Sequence, residues 1–273
     1  MTTPQIAFIG AGNMAGSIIG GLLASGHPAA AIAAADPHPA SLEKLASAAP
    51  VAIYEDNVAA AAGADVIVLA VKPQVMAAAL ASIHDTVIPG KTLILSIAAG
   101  LTIESIQARL PAGTAVVRCM PNTPALLGSG ASALFASPEV TTDQHDQAEA
   151  ILSAVGICCW VDSEAALDAV TALSGSGPAY FFRFMESMIA AGCAQGLDLE
   201  TARSLTLQTA MGAARMATES GVELAELRRR VTSPGGTTER ALQSFEQDQL
   251  PEVVERAMRA AARRATEMAS EFG

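Results

Sequence analysis

Charge, aromatic rings and long apolar runs are all scarce in this chain of 273 residues, and each scarcity excludes something. Charged residues make up 16% and aromatic residues 4%, with a single tryptophan, Trp160. So few rings leave little surface for stacking on unpaired bases. Lysine and arginine number 16 against 27 aspartates and glutamates, giving a formal net charge of −11. A chain with that balance has no general attraction for DNA, RNA or anionic membranes, so neither nucleic acid nor membrane is expected as a partner. The apolar runs at 66–71 and 93–99 are stopped by Lys72, Pro73 and Gly100, far short of the ~20 residues that span a bilayer. Residues 1–5 carry no basic region or cleavage site before the first apolar run, which predicts no secretory leader. Cys119, Cys158, Cys159 and Cys193 match no zinc spacing, and the adjacent pair at 158–159 closes poorly as a disulfide. They read as thiols of a reducing cytoplasm. The four histidines, His27, His38, His84 and His145, are scattered, so no metal site is expected.

Apolar residues are abundant instead, at 51% with mean hydropathy +0.37, much of it alanine. The chain is long enough to bury a sizeable core as one large domain or two medium ones. Its first part alternates short apolar runs with helical patterns. Strands are expected at 6–9, 32–35, 51–54, 66–71, 93–97 and 115–118, and helices at 15–25 and 42–48. The unbroken β-branched run at 66–71 suits a strand buried on both faces. Strands alternating with helices predict right-handed βαβ units and a parallel, doubly wound α/β sheet of Rossmann type. From about Glu164 the strand pattern ceases. Helices are expected at 178–195, from a cap at Asp198 to 219, at 224–230 and at about 252–271, the last with i,i+4 pairs Glu252/Arg256 and Glu255/Arg259. The division is therefore a dinucleotide-binding domain over 1–163 and an all-helical substrate and dimerisation domain over 164–273. The helical part carries apolar and small residues on more than one face, which predicts a homo-oligomer built through it.

Three sets of loops carry candidate chemistry. Gly10-Ala11-Gly12-Asn13-Met14-Ala15 follows a strand and opens a helix, the setting of a dinucleotide fingerprint. Gly10 permits the tight turn, Gly12 lets a pyrophosphate approach the backbone, and Ala15 keeps strand and helix close. Asp36 ends the second strand, where a carboxylate grips a ribose 2′-hydroxyl, favouring NADH; no basic residue adjoins it to hold the extra phosphate of NADPH. Ala70-Val71-Lys72-Pro73, Ile97-Ala98-Ala99, and Met120 with Asn122 close later strands, and ligands gather at the carboxyl ends of parallel strands. Asn57 offers an amide at a similar position. The third set lies further on. Ser174-Gly175-Ser176-Gly177 and Ser233-Pro234-Gly235-Gly236-Thr237-Thr238 each place small hydroxyl residues and glycines before a helical pattern. N–H groups at a helix start beside serine or threonine hydroxyls form an uncharged socket for a carboxylate or phosphate.

Together these stretches resemble the pyrroline-5-carboxylate reductase family. The resemblance rests on Phe8 to Ala15, Ala70-Val71-Lys72-Pro73-Gln74, Arg118-Cys119-Met120-Pro121-Asn122-Thr123-Pro124, the run from Asp168 to Tyr180 and the run from Val231 to Thr238. The last two are the most specific. The resemblance implies a Rossmann domain followed by a helical dimerisation domain, NADPH or NADH as cofactor, and reduction of a cyclic imine, Δ1-pyrroline-5-carboxylate, to L-proline. It implies that the Thr238 hydroxyl meets the ring nitrogen, while Ser233, Gly235, Gly236 and Thr237 seat the carboxylate. It implies too that residues 174–177 line the same pocket and that Glu164 lies near the substrate. A protonated imine accepts hydride without further activation, so positioning supplies most of the catalysis, and neither socket contains a histidine or lysine. Hydroxyacid dehydrogenases share the two-domain plan but place a catalytic lysine in the helix after the glycine turn; here that helix begins Ala179-Tyr180-Phe181-Phe182 with only Arg183 nearby. A non-catalytic dinucleotide sensor would have no use for the second socket.

Overall fold

The computed structural model describes residues 3–272, which fall into two compact units: 3–176 with 260–272, and Gly177–Arg259. The first unit contains the strands β1 (Ile6–Ile9), β2 (Ile32–Ala35), β3 (Ala52–Tyr54), β4 (Val66–Leu69), β5 (Leu93–Ser96), β6 (Ala115–Met120), β7 (Gly130–Ala136) and β8 (Gly156–Trp160). They form one sheet in the order β3-β2-β1-β4-β5-β6-β7-β8. Its helices are α1 (Asn13–Ala24), α2 (Pro39–Ala48), α3 (Asn57–Ala61), α4 (Pro73–Ile83), α5 (Ile103–Gln107) and α6 (Thr142–Ser153).

Successive residues of a strand point to opposite faces, and here both faces are covered, which is why the strands read as unbroken apolar runs. Phe8, Val68, Leu95 and Val117 join Ile18, Leu42 and Ile151 of α1, α2 and α6 in one core. Ile9, Ile67, Ile94 and Val116 join Met76, Leu80 and Ile106 of α4 and α5 in the other. From β3 to β6 the pairing is parallel throughout, as the alternation predicts. The strand order reverses between β1 and β4, and such a switch point opens a crevice at the carboxyl ends of the strands.

Two strands lie outside the expected set. The connection from β6 to β7 is a 3₁₀ turn, Thr123–Leu127, too short for a crossover, so β7 returns antiparallel to β6. After α6 the chain adds β8 parallel to β7. The sequence of β7, Gly-Ala-Ser-Ala-Leu-Phe-Ala, is rich in small residues with weak strand preference, and this hides it from pattern reading.

Beyond β8 the chain is helical: α7 (Ala166–Val170), a π-helical turn (Thr171–Gly175), α8 (Gly177–Ala194), α9 (Leu199–Glu219), α10 (Leu224–Arg230), α11 (Thr237–Gln247) and α12 (Leu250–Phe272). Asp198 caps α9 as expected, accepting from Thr201 N at 2.9 Å, and this bond holds its carboxyl below the usual range. Glu255 pairs with Arg259, whereas no ion pair joins Glu252 to Arg256. Within Gly177–Arg259 only Gly177, Ala202 and Thr206 are buried. No described helix is long and apolar enough to cross a membrane, and the described residues hold no metal-ligating cluster.

Candidate active site

Each residue expected to meet the cofactor sits at the carboxyl end of β3, β2, β1, β4, β5 or β6, six neighbours in the sheet, with Asn57 opening α3 after β3. Gly10 has φ +102°, and a Cβ there would lie 2.8 Å from the Ala70 carbonyl oxygen and 3.0 Å from Val71 Cγ1. Only glycine fits the turn that brings the ends of β1 and β4 together. Gly12 precedes α1 in an extended conformation, and no side chain caps that helix. A Cβ on Gly12 would meet nothing within 4 Å, so the space over the helix start is open. Uncapped first-turn N–H groups with open space above them suit an anion, and in this topology they fit a dinucleotide pyrophosphate. Ala15 is fully buried, as close contact between strand and helix requires. Asn13 Oδ1 accepts from Lys44 Nζ at 2.9 Å, which draws a lysine of α2 to the loop although it lies 31 residues away in sequence.

Asp36 turns inward. Its Oδ2 accepts from Ala11 N at 2.9 Å and its Oδ1 from His38 N at 2.9 Å, with His38 Nδ1 at 3.0 Å. The carboxylate therefore braces the glycine loop, and Oδ2, with Ala11 N as its one partner, keeps a second lone pair. Lys72 ends the strand-to-helix connection and Pro73 starts α4, where the missing proline N–H is harmless. The loop after β5 is sealed by Gly100, whose position lies 3.1 Å from Met268 Cβ once a Cβ is added. Asn57 Nδ2 donates to Ser82 Oγ near the end of α4 at 3.0 Å.

Asn122 and Glu164 have unexpected partners. Asn122 is 8% exposed; its Oδ1 accepts from Ala131 N at 2.9 Å and its Nδ2 donates to Ser174 O at 3.0 Å. Glu164 Oε1 accepts from Ile103 N at 2.8 Å and from Arg118 Nη1 at 2.9 Å. Arg118, buried in β6, is not among the residues expected at the site, yet a cation in the middle of an apolar strand demands an anion. The carboxylate thus ties β6, the start of α5 and the approach to α7 together.

The two serine–glycine stretches differ locally. Ser233 to Thr238 is a helix start: Gly236 precedes α11, and Gly235 has φ +73°. Gly235 N already donates to Glu239 Oε2 at 2.8 Å and Gly236 N to Ser233 O at 3.0 Å. The donors left for a ligand are the first-turn N–H groups of Thr237 and Thr238 and the three hydroxyls. Ser174 to Gly177, by contrast, is no free helix start. Helix α7 continues through the π turn, closed by Ser176 N to Thr171 O at 2.8 Å, and Ser174 Oγ bonds back to Val170 O at 3.2 Å. An apolar helical pattern cannot show where one extra residue is wound in.

Comparison with known proteins gives a consistent result. Residues 164–268 match a family model described as pyrroline-5-carboxylate reductase dimerisation, and residues 5–100 one described as NADP oxidoreductase coenzyme F420-dependent. The pyrroline-5-carboxylate reductase of Pseudomonas aeruginosa is 55% identical over 273 residues, covering 100% of both chains. A solved pyrroline-5-carboxylate reductase from Coxiella burnetii matches with TM-score 0.95 at 42% identity, over 98% of this chain and 99% of that one. Plasmodium falciparum pyrroline carboxylate reductase, solved with NADP bound, matches with TM-score 0.86 at 28% identity, over 98% and 99%.

Proposed function

The chain belongs to the pyrroline-5-carboxylate reductase family, and we propose that it reduces Δ1-pyrroline-5-carboxylate to L-proline with NADPH or NADH. The observation that carries the reading is the open, uncapped start of α1 at the switch point of the sheet, in a chain whose later residues match the reductase dimerisation model. The reduced nicotinamide supplies hydride when bound; the protein's task is to hold and orient. Gly10 to Ala15 seat the pyrophosphate, Asp36 braces that loop, and Ala70 to Pro73, Ile97 to Ala99 and Met120 border the cofactor. The division of labour assigns cofactor binding to residues 1–163 and substrate binding with self-association to 164–273.

At the substrate, the Thr238 hydroxyl meets the ring nitrogen, while the hydroxyls of Ser233 and Thr237 and the first-turn N–H groups of α11 seat the carboxylate. Gly235 and Gly236 shape this loop, since their own N–H groups already have partners. Ser174 to Gly177 present a small-residue surface, and Glu164 acts through its bonds to Arg118 and Ile103. The ring needs no added acid beyond its own protonated nitrogen, which agrees with the absence of histidine and lysine from 174–177 and 233–238. Unpaired cysteines at all four positions accord with a reducing cytoplasm. Self-association finds support in the exposed apolar side chains of α8 and α9, among them Phe181, Phe182, Leu205 and Met211.

Initial rates of NADPH and NADH oxidation with Δ1-pyrroline-5-carboxylate test the reading. Turnover with at least one cofactor is expected, and Asp36→Ser should shift the ratio of the two rates toward NADPH. Absence of turnover by folded protein that binds either cofactor overturns it.

A further inference from the structure

We propose that Asn122 is a positioning residue that locks the loop after β6 to the π turn at 171–175, so that the cofactor-side loop and the serine–glycine surface form one rigid piece. The need for such a lock follows from the sequence. In a helix the carbonyl of Ser174 would accept from the N–H of residue 178, but residue 178 is proline, which has no N–H and crowds the carbonyl four residues back. The Ser174 oxygen is left without its helical donor inside a part-buried environment. Asn122 Nδ2 supplies one at 3.0 Å, from a residue 52 positions away. The other end of the same amide is fixed by Ala131 N of β7 at 2.9 Å, so the side chain cannot turn away without breaking both bonds.

A second contact joins the same two segments. A Cβ on Gly175 would stand 2.6 Å from Met120 Cε, which places the methionine that ends β6 directly against the glycine of the turn. Polar link and apolar contact lie on adjacent residues of the turn, Ser174 and Gly175, and are made by Met120, the last residue of β6, and Asn122 in the loop after it. This arrangement explains why the turn is π-helical: the extra residue moves the Ser174 carbonyl out of line with the proline and toward Asn122. The two bonds take one lone pair of Oδ1 and one N–H of Nδ2, so the side chain's orientation is set within the protein.

The inference rests on the proposed reaction, in which the loop borders the nicotinamide and the turn faces the substrate. The test uses full-length Asn122→Asp, which keeps an acceptor for Ala131 N but replaces the donor to Ser174 with an oxygen. Expected are faster amide hydrogen exchange confined to residues 171–177 and a loss in kcat/KM for the imine of about ten-fold, the size of one buried hydrogen bond. The dissociation constant for NADPH, titrated without substrate, should hold within about two-fold on the same scale. Unchanged exchange at the turn, or a ten-fold weaker NADPH with the imine parameters intact at saturating cofactor, would overturn the proposal. A second pair of variants guards against misfolding: Gly175→Ala should lose kcat/KM, and adding Met120→Ala should restore part of it by making room for the new methyl group. No restoration overturns the proposal as well. Wild-type turnover, measured alongside, decides the reaction itself, and the exchange readout does not depend on it.

Discussion

The two units of this protein solve the problem of burial differently. In the first, the central strands are enclosed: β1, β4 and β5 are buried along their whole lengths, and only the outer strands β3 and β8 hold no buried residue. In the second, three buried residues serve four helices and part of a fifth, while Phe181, Phe182, Leu199, Leu205, Met211 and Leu224 stand exposed. The sheet has helices on both faces and closes its core within one chain. The helical unit has apolar residues with nothing of its own to cover them, which supports the proposal that another copy completes its core. Cofactor binding is therefore expected to survive in conditions where substrate binding and assembly fail together.

The sharpest way to break that comparison is to place a charge on the open face. Met211→Glu should reduce the assembly to monomers in light scattering and abolish most of the imine reduction, because an unpaired carboxylate would be buried on association. NADPH titration should be nearly unaffected. A wild-type protein that is monomeric at micromolar concentration would end the argument, since the exposed face would then be stable uncovered.

A smaller effect is expected inside the closed unit. Glu164→Gln keeps an acceptor for Ile103 N but leaves Arg118, buried in β6, without its anion. Removing one partner of this pair should cost on the order of 2–3 kcal/mol, below the ~3–5 kcal/mol of a fully buried pair because Glu164 is partly exposed. Thermal melting should fall while the oligomeric state is retained. Combining it with Arg118→Met should recover part of the loss, because an apolar replacement of both charges removes the unpaired cation. If the double variant melts below both single ones, the pair is not what sustains this corner of the sheet.

The same contrast decides what the sequence could reveal. Gly10 and Gly12 were readable because a turn between a strand and a helix has a fixed chemical demand, and the surrounding periodicity shows both elements. The run of Val66 to Leu69 was readable because burial on two faces leaves no polar position. The π turn was not, because Ser174 and Gly175 look the same whether they begin a helix or lie within one, and the deciding partners, Asn122 and Met120, are more than fifty residues away. Glu164 was drawn to the site by resemblance, but its bond to Arg118 spans 46 residues and no local pattern announces it. Asp36 was legible as a carboxylate at the right strand end; that it also holds Ala11 N depends on how the loop folds back. Local chemistry is visible in sequence, and long-range satisfaction of a single polar atom is not.

The smallest expected effect tests the far edge of the closed unit, at the opposite end of the strands from the cofactor loop. His27 follows α1 and lines a cavity of about 730 Å³ with Asp143 and Asp146 of α6, and its Nε2 is buried without a partner. Burial pushes its pKa below the ordinary histidine value, and the Pro4 carbonyl opposes this only in part. The fold therefore favours neutral His27. The unfolded chain takes up a proton as pH falls through about 6.5, before the folded chain does, so stability is lost from that point down to the lowered folded value and is unaffected above it. His27→Gln should leave the melting temperature at pH 7.5 nearly unchanged and reduce its fall between pH 7.5 and 5.5. An identical fall in the variant would mean that the carboxylates, and not this buried nitrogen, set the acid limit of the sheet unit.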